Sequence, residues 1–106
     1  MSTNKLKDDI TDRLFEAIMQ LKTQKEYYKF FEDICTVNEL KSFAQRFEVA
    51  TMLKNGSTYE EVVDKTGMST ATIARIKRCL NYGPGGYRLV LNRMEAQKKG
   101  EKDAQK

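Results

Sequence analysis

Tyr59-Glu-Glu-Val62-Val63-Asp-Lys-Thr66-Gly67-Met68-Ser69-Thr70-Ala71-Thr72-Ile73-Ala-Arg75-Ile76-Lys77-Arg78-Cys79-Leu80 is the stretch that decides the reading of this 106-residue chain. With Gly67 as the turn residue, the apolar positions fall on Val62, Met68, Ile73 and Ile76, the spacing of a helix-turn-helix. Each position has a mechanical task. Val62 and Ile73 hold two helices at their crossing angle, Met68 plugs the turn, and Ile76 anchors the second helix to the body. Gly67 permits the left-handed backbone that a tight turn requires. Two positions depart from the usual pattern: Val63 stands where a smaller residue is common, and Thr66 where an apolar one is. Upstream, Thr58-Tyr-Glu-Glu61 has the form of a capping box that opens the first helix.

The outer face of the second helix is left with Ser69, Thr70, Ala71, Thr72, Arg75 and Arg78, with Lys77 nearby. Small hydroxyl and methyl side chains at a helix N-terminus let the backbone approach a groove floor, bond to base edges or touch a thymine methyl. Arg75, Lys77 and Arg78 are placed to grip phosphates, or in one case a guanine edge. No Asp or Glu occurs between Lys65 and Leu91, which suits a surface that meets polyanions. Two ordinary helices joined by a glycine turn would show the same spacing. The cap, the acid-free basic helix and the Ser-Thr-Ala-Thr face together favour double-stranded DNA. Helix-turn-helix units also bind RNA and proteins, so a helical dimeric module for RNA or an acidic protein is the alternative.

Outward from this motif the chain reads as all-α, with six helices. There is one proline, Pro84, no period-2 alternation, and apolar residues recur every three or four positions. The pattern predicts a first helix from about Lys5 to Leu21, with Leu6, Ile10, Leu14, Ala17, Ile18 and Leu21 on one stripe. A second, from about Lys25 to Ile34, is dense in aromatics. Thr36-Val-Asn-Glu39 is a further capping box, opening a third helix that ends near Asn55-Gly56. The fourth ends at Gly67 and the fifth runs from Ser69 or Thr70 to about Asn81. Gly83-Pro-Gly-Gly86 breaks the chain before a last helix from about Tyr87 through Met94. The expected organisation is one domain over residues 1–96 and a flexible basic tail over residues 97–106. The first and third helices carry more apolar surface than one partner face covers. A homodimer with shared helices would bury the surplus, as would a monomeric bundle with a buried centre.

Composition excludes several classes. The chain has no histidine and two cysteines, Cys35 and Cys79, which removes Cys-His zinc sites and histidine-based catalysis. Two free, largely buried thiols are expected. No nucleophile-base pair, metal cluster or phosphate loop is visible, so the expectation is a protein that is not an enzyme and needs no cofactor. No window approaches the ~20 apolar residues that span a bilayer, and a cytoplasmic protein is expected. Charge is uneven. Residues 1–64 hold nine Lys/Arg against twelve Asp/Glu, whereas residues 65–106 hold ten against three. The basic excess therefore coincides with the motif.

The segments Thr36-Val-Asn-Glu39, Gln45-Arg46, Leu53-Lys-Asn-Gly56 and Gly67-Met-Ser-Thr-Ala-Thr-Ile-Ala-Arg75 together resemble the tryptophan repressor family. With Leu80-Asn-Tyr-Gly83 and Gly86-Tyr87, the chain is most similar to the smaller branch called YerC/YecD. The resemblance implies an intertwined homodimer whose paired recognition helices enter successive major grooves of a palindromic operator, about 34 Å apart. It also implies a repressor-type transcription regulator.

In that family tryptophan is held between two arginines, matched here by Arg46 and Arg75, beside a threonine matched by Thr36. Ile76 stands where the family has a glycine that admits the indole, and Cys79 where it has a serine serving the ligand's amino group. A branched side chain where the ring must lie is a steric obstacle. The expectation is a regulator that works without tryptophan, with Ile76 partly filling the pocket and holding the recognition helix in place.

Overall fold

The structure, a computed structural model, describes residues 7–104, with side chains up to residue 101. Its six helices are α1 (Asp9–Ile18), α2 (Gln24–Ile34), α3 (Val37–Lys54), α4 (Tyr59–Thr66), α5 (Thr70–Tyr82) and α6 (Gly86–Ala104). No strand occurs among the described residues. The chain's described residues gather into two compact units, divided between Phe43 and Ala44 inside α3.

In the first unit the helix ends are set by side-chain caps. The Asp8 carboxylate accepts from the Thr11 backbone N–H at 2.7 Å, and the Thr23 hydroxyl accepts from that of Glu26 at 3.2 Å. Asp8 therefore starts α1 later than the pattern implied, and α1 also ends earlier, at Ile18. Leu6, assigned to its stripe, lies outside the described residues. Thr36 and Glu39 form the expected reciprocal box at the start of α3. The Glu39 N–H donates to the Thr36 hydroxyl, and the Thr36 N–H to the Glu39 carboxylate at 2.8 Å. Phe30 and Phe31 meet edge to face at 5.6 Å. No residue of α1 or α2 is buried, and Ile10 and Met19 are 73% and 78% exposed.

The second unit has a core of its own. Val49 and Ala50 from α3, Val62 from α4, Ile73, Ile76 and Leu80 from α5, and Leu91 from α6 are buried together. Around them pack Phe47, Met52, Leu53, Tyr59, Val63, Met68 and Tyr87. After Tyr82 the chain turns at Gly83, whose N–H donates to the Cys79 carbonyl at 2.8 Å. A Cβ at Gly83 would stand 2.5 Å from that carbonyl oxygen, so only glycine closes the helix this tightly.

Two expectations are corrected here. The segment from Gln97, read as a frayed tail, continues α6 as helical backbone to Ala104; residues 105–106 lie outside the described residues. Its Ala, Gln, Lys and Glu residues are strong helix formers, and lengthening an existing helix needs no new nucleus. Cys35 and Cys79 are free as expected, but Cys79 is exposed. It sits off the Ile73, Ile76, Leu80 stripe by which α5 meets its core.

Candidate nucleic-acid interface

The α4–turn–α5 unit is built from local hydrogen bonds before any packing. At its start the Glu61 N–H donates to the Thr58 hydroxyl at 3.1 Å, and the Thr58 N–H donates to the Glu61 carboxylate at 2.7 Å. That backbone N–H, with the Thr58 hydroxyl second, holds the Glu61 carboxyl below its ordinary range. Gly67 ends α4 with φ 71° and ψ 7°, its N–H donating to the Val63 carbonyl. Here only glycine avoids the Cβ penalty of left-handed backbone.

The unusual Thr66 has a task at this turn. Its hydroxyl donates to the Val62 carbonyl at 2.7 Å and accepts from the Met68 N–H at 3.2 Å. A polar residue thus ties the turn where an apolar one would plug it. Ser69 then caps α5, accepting from the Thr72 N–H at 3.2 Å and donating to the Thr72 hydroxyl at 3.0 Å. Val62 and Ile73 are fully buried, Ile76 nearly so, and Met68 half-buried, the arrangement that the motif's spacing implied.

Burial of Ile73, Ile76 and Leu80 fixes which face of α5 looks outward. At 100° per residue the opposite face carries Ala71, Arg75, Arg78 and Tyr82, at positions i, i+4, i+7 and i+11. All four are exposed, and among the described residues neither arginine is in an ion pair. Tyr82, 85% exposed, was missed in the sequence because Gly83 and Pro84 draw attention to the turn instead of to the stripe. Its signal was the seven-residue spacing from Arg75.

The other candidate residues divide. Thr70 is exposed at the helix start, whereas the Ser69 and Thr72 hydroxyls are bound to each other at the cap. Lys77 lies on the flank of α5 towards Tyr59, its Nζ 5.4 Å from the ring centroid, a cation–π distance. Of the possible ligand-pocket residues, Thr36 is occupied in its capping box, Arg46 is exposed on α3, and Arg75 belongs to the outward stripe of α5. Ile76 is packed into the core at 5% exposure, and Cys79 is exposed.

Among the described residues no group of His, Cys, Asp or Glu is placed to hold a metal ion. No helix there is long and apolar enough to cross a membrane.

Comparison with known proteins agrees with this geometry. The family model of the Trp repressor protein matches residues 10–95. The uncharacterized protein YerC of Bacillus subtilis (strain 168) is 50% identical over 95 residues, covering 90% of this chain and 91% of YerC. A solved structure of a TrpR-like protein from Eubacterium eligens is 53% identical with a TM-score of 0.83, covering 88% of this chain and 96% of that one. A crystal structure of a Trp repressor candidate from Staphylococcus aureus is 46% identical, also with a TM-score of 0.83, over 90% and 95%. The chain belongs to the Trp repressor protein family, a regulatory DNA-binding family with an all-α fold.

Proposed function

We propose that this member of the Trp repressor protein family is a sequence-specific DNA-binding transcription regulator of repressor type. It works as a homodimer in the cytoplasm, presenting α5 to the major groove of a palindromic operator. The observation that carries the reading is the outward stripe Ala71, Arg75, Arg78 on a helix whose opposite face is locked into a core. A rigid helix with small residues and unpaired arginines outermost can enter a groove and grip its edges and phosphates without reorganising. Thr70 and Ala71 lie nearest the groove floor, Arg75 and Arg78 engage guanine edges or phosphates, and Ser69 and Thr72 hold the helix start in shape. Lys77 stands at the flank, where it meets the sugar-phosphate rim.

Dimerisation is supported by the first unit, where none of the apolar residues of α1 and α2 is fully buried and several are largely exposed. Residues 1–96 act as one DNA-binding domain within the dimer, and the basic residues from Gln97 onward add sequence-independent affinity. Burial of Ile76 supports regulation without tryptophan: a branched side chain held in the core at this position leaves less room for an indole than the family's glycine would.

The test is to incubate the purified protein with fragmented genomic DNA and sequence what is retained, with and without free amino acids. A palindromic motif recovered equally in both conditions is the expected result. Retention of random, salt-sensitive fragments only would overturn sequence-specific reading and move the function towards RNA or an acidic protein. Recovery that required tryptophan would overturn the filled pocket.

A further inference from the structure

On the flank of α5 away from Cys79, the second unit has an open cleft of about 270 Å³ between the end of α3, the last turns of α5 and the first turns of α6. Its walls carry three cations, Lys54, Lys77 and Arg88, and two amides, Asn81 and Asn92, over a floor of Leu53 and Leu80. No carboxylate lines it. Among the described residues the one carboxylate in an ion pair with these cations is Glu95, which accepts from Lys54 at 3.2 Å.

Two of the cations are held in position rather than swept through solvent. The Arg88 Nε donates to the Leu80 carbonyl at 2.7 Å, and its Nη2 lies 3.4 Å from the Asn81 amide oxygen. Lys77 is steadied over the Tyr59 ring. Like charges gathered on one concave wall repel one another, and an anion between them relieves that repulsion.

We propose that this cavity is a phosphoryl-binding site, distinct from the outward stripe of α5. With Lys54 shared with Glu95, the two other cations, Lys77 and Arg88, and the two amides match a tetrahedral, doubly charged group with three or more acceptor oxygens. A monocarboxylate offers one charge and two acceptors, and would leave most of these donors unused. The volume lies below the roughly 300–1,000 Å³ of drug-sized pockets, which suits a small phosphorylated compound or one backbone phosphate of a nucleic acid. Either occupant would bridge α5 to α6 and α3, and so bias the placement of the recognition helix.

The probe is inorganic pyrophosphate, titrated into the full-length protein at matched ionic strength and followed by amide chemical shifts. Asn92→Asp places a carboxylate on the cavity wall at constant size; circular dichroism without probe checks that it folds. Arg75→Ala serves as the control on the outward stripe.

The expected result is saturable binding that moves the Asn81 and Asn92 side-chain signals. It weakens about tenfold or more in Asn92→Asp and is unchanged in Arg75→Ala. A second arm measures affinity for a random-sequence duplex against salt. If the natural occupant is a backbone phosphate, Asn92→Asp lowers the salt slope by about one. If it is a free compound, that slope stays the same while pyrophosphate binding is lost. Pyrophosphate binding that never saturates, or that survives Asn92→Asp, together with an unchanged duplex slope, would overturn the proposal. Failure of duplex binding altogether would strike the DNA reading and leave the pyrophosphate arm to decide this one.

Discussion

Residues 7–43 and residues 44–101 are made of the same kind of helix, yet they differ in what they can do alone. Each has Thr-capped helix starts and amphipathic helices. The second gathers seven buried side chains from four helices, while the first buries none among its described residues. Local helix chemistry is therefore common to both, and a self-contained core is not. The difference is what the proposed dimeric reader would need: one region with a core that holds a helix rigid, and one whose exposed apolar surface a second copy would cover.

The largest effect should come from the core that only one region has. Ile73→Ala removes a fully buried side chain and should cost about 2–5 kcal/mol in denaturant unfolding at fixed protein concentration. A cost near that of a surface change would erase the contrast between the regions.

Next comes Phe15→Glu in the first region, where Phe15 is more than half exposed. If a second copy covers this surface as proposed, a charge placed there should weaken dimerisation by about 1.5–3 kcal/mol, read by sedimentation across a dilution series. Helicity should persist in the separated chains. An unchanged mass would mean that the exposed face has some other partner.

Within the second region the outward stripe and the flank can be set against each other. Arg75→Ala should weaken operator binding by about 1–3 kcal/mol and alter sequence preference if it reads a base. Lys77→Ala should weaken all sequences alike and lower the salt slope by about one. Fluorescence anisotropy with cognate and scrambled duplexes separates the two outcomes.

Smaller again is the loss of a cap, and here the regions should agree. Thr36→Ala and Thr58→Ala each remove a hydroxyl that accepts from a backbone N–H, costing about 1 kcal/mol. Clearly unequal costs would show that the helix ends, and not only the core, distinguish the regions.

The subtlest contrast is with pH. Glu39 and Glu61 both titrate below the ordinary value of 4.5, first because the Thr36 and Thr58 backbone N–H groups bond their carboxylates. A depressed folded-state value stabilises above the unfolded value, and the contribution is lost as pH falls through the folded one. Both caps should therefore loosen only below pH 4.5, which carboxyl chemical shifts across an acid titration would check.

Most of the second region was legible in the sequence. Val62, Gly67, Met68, Ile73 and Ile76 are separated by fixed numbers of residues, and that spacing, with the Thr58 cap and the acid-free basic helix beside it, made the helix-turn-helix legible. The capping boxes at Thr36 and Thr58 were readable for the same reason, since donor and acceptor lie three residues apart. The stripe of α5 was readable only in part. Ser69 and Thr72 looked like base-reading hydroxyls, but their positions also suit a cap, and the cap engages them. Tyr82 was hidden by the turn that follows it. The end of α6 was missed because its last residues lack apolar periodicity, although their propensity favours helix.

What the sequence by itself determined is therefore local: six helices, the capping boxes at Thr36 and Thr58, the turn at Gly67, and which face of α5 is apolar. Short-range spacing suffices for these, because each depends on atoms a few residues apart. Tertiary structure decided the rest. It set Lys77 on the flank over Tyr59, buried Ile76, and brought Lys54, Lys77, Arg88 and Asn92 to one cavity wall from three separate helices. Groups distant in the chain become neighbours only through the packing of whole helices, and no period along the sequence records that.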